Sequence, residues 1–455
     1  MTTESNAEPQ ASDESRESTP VRAPLRMGEI AHAWWPLALS WLLMGVEQPA
    51  IAAIVARLRE PAENLAAYGG VVFPLALVVE APIIMLLAAS TELSRDREAY
   101  RSLRAFTHRA GAVLTCVHLL LAATPLYGWV VQGALGVPDA VAERAQVGLV
   151  ILLPWTWSIA WRRFNQGVLI RFGYSRTVGV ATGIRLVTVA TLLGVGYMLG
   201  DRFSGVVVAT SAMSVGVLAE AVYVSFRVRK LVRPKIETIE PERPVLRGRA
   251  FLAFYVPLAM MPMVTLVVQP IGTAAISRMP DVVASLALWP VVNGLVFVLQ
   301  SVGLAYNEVV VALLDRERAE EMLRRFTWLL TFATTVVLAL LAFTPLADLW
   351  FGPVAGLGDE LRMMAAGALW IALPIPGTRV LQSWWGGILV GARRTTAITE
   401  AVVVFFVVCT GILFAGAALQ RWSGLEVALY GFAIGRLFQT SWLAIRCTIV
   451  KRSIR

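Results

Sequence analysis

The chain is 455 residues long, with 57% hydrophobic and 16% charged residues, far too apolar for a soluble globular protein of that length. Lysine and arginine exceed aspartate and glutamate by 40 to 31, a formal net charge of +9, but no basic aromatic stripe or soluble domain is present to hold a nucleic acid, and no such partner is expected. The 3 cysteines and 3 histidines form neither a disulfide framework nor a metal-ligand spacing, so no metal or cofactor is expected.

Residues 1–26 are polar, with Glu4, Glu8, Asp13, Glu14 and Glu17 and almost nothing to bury; they are expected to form a disordered cytoplasmic tail, not a signal peptide. A membrane-spanning helix needs about 20 mostly apolar residues, and twelve such windows follow. The first, 31–56, carries Glu47 immediately before Gln48 and Pro49. The second, 65–90, carries Glu80, and the third covers 107–132. In the fourth, 145–170, Ser158, Arg162 and Gln166 recur every fourth residue and share one face, with Arg163 beside them. The fifth, 177–199, holds Arg185, and the sixth, 205–226, holds Glu220 close to its cytoplasmic end. Residues 231–249 contain Pro234, Pro241 and Pro244 among charges and are read as an extended, semi-rigid linker.

The seventh window, 251–276, places Gln269-Pro270 where the first places Gln48-Pro49. In the eighth, 285–313, Asn293, Gln300 and Asn307 recur every seven residues, and Glu308 follows. The ninth covers 327–349. In the tenth, 363–390, Arg379, Gln382 and Ser383 share a face, and in the twelfth, 425–447, Arg436, Gln439 and Thr440 do the same. The eleventh, 397–419, carries Glu400 near its cytoplasmic end.

The order of these windows repeats. LLAATPL at residues 120–126 returns as LLAFTPL at 340–346, 220 positions later; LRAFTH at 103–108 returns as LRRFTW at 323–328. A repeat of this length is typical of secondary transporters whose two bundles rock about a central site. The expected fold is an all-α membrane protein of twelve transmembrane helices in two pseudo-twofold-related six-helix bundles, an N-lobe over 27–230 and a C-lobe over 250–455. Arginines crowd the loops after the second, sixth and eighth windows, while the alternate loops carry only Arg57, Arg59, Arg144, Arg202, Arg278, Arg362 and Arg421. Short positive loops stay cytoplasmic, so both termini are expected inside, in a multi-pass protein of the plasma (inner) membrane.

Polar groups inside hydrocarbon cost several kcal/mol when they face lipid, and so point to a partner or a wet cavity. Buried pairing between helices is the plain alternative. Arginine grips carboxylate or phosphate through two parallel hydrogen bonds, so Arg162, Arg379 and Arg436 are expected to contact an anionic substrate, with Gln166, Asn293, Gln300, Gln382 and Gln439 lining the same cavity. Glu47, beside a turn weakened by Pro49, and Glu80 are the expected sites for a coupling proton or sodium ion.

The run GVEQPAIAAIVARLREPAENLAAYGGVVFPL, residues 45–75, resembles the progressive ankylosis protein family in its Gly-x-Glu-Gln element and in Leu65, Ala66, Tyr68 and Gly69. GVLIRFGYSRTVG at 167–179 resembles that family's junction of the fourth and fifth helices. The resemblance implies the fold of the multidrug extrusion and lipid-linked oligosaccharide flippase superfamily, and export of small polyanions such as citrate, pyrophosphate or nucleotides. The expected function is therefore a secondary active exporter of a small organic or phosphorylated anion by alternating access, acting as a monomer in the lipid bilayer; it is not expected to be an enzyme. The alternatives are a lipid-linked saccharide flippase and a proton- or sodium-coupled multidrug exporter.

Overall fold

The computed structural model describes residues 24–454 apart from 241–243, 247, 393 and 395, so nearly all of the expected tail lies outside the described residues. No strand occurs among them. Twelve helical stretches follow one another: α1 (Met27–Val55), α2 (Pro61–Leu93), α3 (Arg97–Ala123), α4 (139–171), α5 (Ser175–Leu199), α6 (Gly205–Leu231), α7 (Gly248–Ile276), α8 (Val282–Leu313), α9 (Ala319–Phe343), α10 (Asp359–Gly391), α11 (Thr396–Leu419) and α12 (Gly424–Ile454). Nine are long and apolar enough to cross a membrane; α7 joins them as a span bent by 41° between Met260 and Pro262, and α4 and α12 are as long but more polar.

The best-preserved stretch of the repeat is a stop signal. α3 and α9 end at Ala123 and Phe343, and the next residues, Thr124 and Thr344, are extended (φ −120°, ψ 169° and φ −126°, ψ 168°). Each precedes a proline, whose ring pushes its predecessor out of the helical region. The expected third and ninth windows therefore ran too far, to 132 and 349. The last residues of the third window instead fall in a π-helical turn, Gly128–Ala134, and those of the ninth form a short helix, Leu346–Leu349, that runs into the matching π-helical turn Trp350–Val354; these turns hand the chain on to α4 and α10. Hydropathy stays high through the turn, so an apolar window cannot see it.

Within each lobe the last helix is central: α6 packs on α4 and α5, and α12 on α10 and α11. The lobes meet along α1, α2, α7 and α8. Gly69 on α2 and Pro290 on α8 hold equivalent places in the repeat and touch; a Cβ on Gly69 would lie 2.4 Å from the proline ring, so only glycine fits. α1 breaks between Gly45 and Glu47, where Pro49 supplies no N–H for the Gly45 carbonyl. Its first half lies against the other lobe: Trp34 Nε1 donates to the Val302 carbonyl at 3.0 Å, and Glu29 pairs with Arg316 at 3.2 Å. The first half of α7 crosses the opposite way, with Tyr255 Oη donating to the Pro82 carbonyl at 2.7 Å.

The linker is not wholly extended. A helical turn, Arg233–Ile236, continues past α6, and Lys235 donates to Tyr174 Oη at 2.8 Å. At the end of the molecule remote from the termini, hereafter distal, Arg144 reaches Glu60 and Glu63 at 2.5 Å each, and its hydrogen bond holds the Glu60 carboxyl below the usual carboxylate range.

Candidate functional site

Two polar centres lie inside the membrane-length region, one per lobe. In the N-lobe, Glu220 on α6 is fully buried and acts as a hub. Its Oε2 accepts from Arg162 Nη1 at 2.6 Å, and its Oε1 accepts from Gln166 Nε2 at 2.8 Å and from Thr182 Oγ1 at 3.5 Å. Arg185 Nε lies 3.2 Å from Glu220 Oε2 without hydrogen-bond alignment, while its Nη1 donates to Glu47 Oε2. Thus α4, α5, α6 and the second half of α1 are tied together. The fourfold spacing of Arg162 and Gln166 has a direct use, since both donors stand one turn apart and reach the two oxygens of one carboxylate.

Next to this cluster, Tyr68 Oη donates to Gln48 Oε1 at 3.0 Å and contacts Met213 Sδ at 2.6 Å. Glu80 is buried with Oε2 unbonded, within electrostatic reach of Arg163. The N-lobe centre thus holds three acidic side chains (Glu47, Glu80, Glu220) and three basic ones (Arg162, Arg163, Arg185), of which Glu47, Glu220, Arg162 and Arg185 are joined by ion pairs, and it is evenly matched in acidic and basic groups.

The C-lobe centre is not. Arg379 on α10 donates to Gln382 Oε1 at 3.3 Å, and Arg436 on α12 donates to Gln439 Oε1 at 2.8 Å. Gln382 Nε2 in turn donates to Thr440 Oγ1 at 2.9 Å, and Ser383 Oγ to the Gly303 carbonyl at 2.8 Å. The Arg436 guanidinium stands 4.3 Å from the centre of the Phe405 ring, and its Nε is buried without a partner. Among the described residues no carboxylate pairs with either arginine; Glu400, on the neighbouring α11, is taken by Arg446 and Trp442. Two half-buried cations therefore lie on neighbouring helices, held only by neutral amides and a ring face.

The repeat shows how the two centres differ. Gly216 packs beside Arg185 and Val189, and Gly435 packs the same way beside Phe405 and Cys409. In this register Arg162 corresponds to Gln382, Arg185 to Phe405 and Glu220 to Gln439. Every charge of the N-lobe cluster is neutral in its C-lobe counterpart, while Arg379 and Arg436 have apolar counterparts in Ile159 and Val217.

Of the expected site residues, Gln166 joins Arg162 on Glu220, Gln382 and Gln439 join the C-lobe arginines, and Gln300 and Asn293 sit along α8, the former 9% exposed and the latter half-buried. The sequence reading missed Glu220 as a hub and Arg185 as its link to Glu47. The signal was present, because Glu220 falls on the repeat position of Gln439, already placed on a polar stripe.

No protein-family model matches this sequence, and no curated protein matches it. Solved structures do. A MATE-family multidrug resistance transporter of the MOP superfamily, in an inward-facing conformation, superposes with a TM-score of 0.74 at 13% identity, over 93% of this chain and 99% of that one. The fold is that of the MATE transporters. The lipid II flippase MurJ, in an inward closed conformation, follows at a TM-score of 0.69 and 12% identity, over 92% and 87%. A Vibrio cholerae MATE transporter, VcmN, reaches 0.62 at 16% identity, over 94% and 97%. An outward-facing MATE structure scores 0.54, at 15% identity over 94% and 97%.

Proposed function

We propose that this chain is a secondary active transporter that moves a small organic or phosphorylated anion by rocking its two lobes, in the plasma membrane with both termini cytoplasmic. The observation that carries the reading is the pair Arg379 and Arg436, two half-buried guanidinium groups that no carboxylate pairs with among the described residues. Burying a lone cation is costly, and an anion that brings its own two or more oxygens would supply the missing partner in forked geometry. Arg162, already bound to Glu220, belongs on this reading to the N-lobe cluster, where Glu47 and Glu220 are placed to exchange partners when α1 flexes at Gly45. Small polyanions are also what the resemblance of residues 45–75 and 167–179 to the progressive ankylosis family suggests.

Reconstituted into proteoliposomes and offered citrate, pyrophosphate and nucleotides, the protein is expected to take up at least one, and Arg379→Ala and Arg436→Ala to abolish that uptake while the fold persists. Unchanged uptake by both variants would remove the C-lobe assignment. A second reading, a flippase for a lipid-linked saccharide, is favoured by the likeness in fold to MurJ. Its cargo would present a phosphate to the same arginines, and a lipid-linked sugar belongs in the same panel. A cationic drug is poorly served by an uncompensated positive centre.

A further inference from the structure

The arginines of the positive-poor loops have no part in the site above, yet two of them do the same thing in the two lobes. Arg57, at the distal end of α1, donates through Nη2 to the carbonyls of Pro353 and Val354 at 2.5 and 3.1 Å, and through Nη1 to its own Ala53 carbonyl at 2.6 Å. Arg278, at the distal end of α7, donates to the carbonyls of Ala134 and Leu135 at 2.7 and 3.0 Å, and to its own Ala274 carbonyl at 2.6 Å. Arg57 and Arg278 lie 221 positions apart, the register of α1 and α7 in the repeat. Each reaches out of its own lobe into the other.

The receiving sites match as well. Both lie at the C-terminal end of the π-helical turns Gly128–Ala134 and Trp350–Val354, and both are followed by a left-handed glycine, Gly136 at φ 71° and Gly356 at φ 77°. The end of a helical turn leaves carbonyls without an N–H partner, and the guanidinium fork is shaped to take two of them at once. Both glycines are needed for their positive φ, and Gly356 for space as well: a Cβ there would stand 2.6 Å from Arg57 Nη1, whereas one at Gly136 would make an ordinary 3.4 Å contact with Arg278 Nη1.

We propose that Arg57 and Arg278 are paired latches that hold the distal faces of the two lobes shut and must release together for the opposite access state to form. The contacts cross the lobe boundary at solvent-exposed loops, where they can break without stranding a charge in hydrocarbon. They are made in a chain that superposes as a whole at a TM-score of 0.74 on an inward-facing MATE structure and at 0.54 on an outward-facing one. Two separate latches on one pseudo-twofold axis oppose a rocking motion better than one, because releasing either alone leaves the other as a pivot.

The test uses the full chain in lipid nanodiscs, with spin labels on Ala140→Cys and Glu360→Cys, exposed positions that correspond in the repeat, and with the exposed Cys116 replaced by serine. The Arg57→Ala/Arg278→Ala pair is expected to raise the long-distance population roughly tenfold, the loss of charge-assisted hydrogen bonds on each side, and to speed amide exchange in residues 134–142 and 353–361. An unchanged distance distribution and unchanged exchange would overturn the proposal. Should the alanine pair fail to fold, Arg57→Lys/Arg278→Lys decides: lysine keeps the charge but cannot fork, so partial opening is expected, and a distribution identical to the parent would overturn the two-carbonyl grip. Neither outcome bears on the anion site, since no cargo is present.

Discussion

Glu220 and Arg436 fall within one helical turn of each other when one lobe is laid on the other, but their removal should have opposite consequences. Glu220 is fully buried and satisfies two arginines, so Glu220→Gln leaves Arg162 without its 2.6 Å partner and Arg185 with Glu47 alone. Breaking a buried pair from one side typically costs about 3–5 kcal/mol, and the thermal midpoint in detergent should fall clearly. The double variant Arg162→Gln/Glu220→Gln should recover much of that loss, which a double-mutant cycle would measure. Arg436→Gln removes a cation that has no carboxylate to strand, so its midpoint should hold or rise while transport disappears, the usual opposition between stability and a binding site kept unsatisfied. A fall as large as that of Glu220→Gln would mean that Arg436 has a structural partner. The sequence made the two arginine stripes legible through four-residue spacing alone. It hid the hub, since Glu220 lies near a helix end, where snorkelling is the default expectation, and its donors stand 38 to 58 positions away along the chain.

At the level of the helix, the break in α1 is where local chemistry and motion meet. Pro49 cannot close a hydrogen bond to Gly45, and Gly45 sits flat against α8, with its would-be Cβ 3.5 Å from Val298 Cα. The first half of α1 therefore moves with the C-lobe and the second half, from Glu47, with the N-lobe. Pro49→Ala would restore the missing bond; a proline inside a helix costs about 3 kcal/mol, so the variant should melt at the same temperature or higher. Turnover in proteoliposomes should nonetheless slow several-fold, because a straight α1 can no longer be shared between lobes that move apart. Equal turnover would show that the break is static. The matched prolines Pro49 and Pro270 were visible in the sequence and suggested matched kinks. α7 bends instead at Met260 and Pro262, since it contains Pro257, Pro262 and Pro270 and packing decides among three weakened turns. Helix ends were legible wherever a Thr-Pro pair stops the chain, and illegible where apolar residues continue into a turn.

For the molecule as a whole, the repeat supplies the frame and the departures from it divide the labour. Twelve windows in two sets of six, the crossing of α1 and α7, and the contact of Gly69 with Pro290 all follow from one duplicated plan, which is why the architecture could be read from letters 220 apart. What the duplication could not convey is that the polar centres would diverge, with closed ion pairs in one lobe and two unmatched cations in the other. An anion that completes the C-lobe centre binds the native state and not the unfolded chain. At about 100 times its dissociation constant it should stabilise the protein by about 2.7 kcal/mol. A thermal-shift series with citrate, pyrophosphate, nucleotides, a lipid-linked sugar and a cationic dye should therefore move the midpoint upward for a polyanion, leave it unmoved for the dye, and lose the response in Arg379→Ala. Because the arginines are half-buried, added neutral salt should weaken the shift less than it weakens an exposed pair. A response to the dye that survives Arg379→Ala would place the cargo elsewhere in the fold and return the chain to the drug-exporting reading.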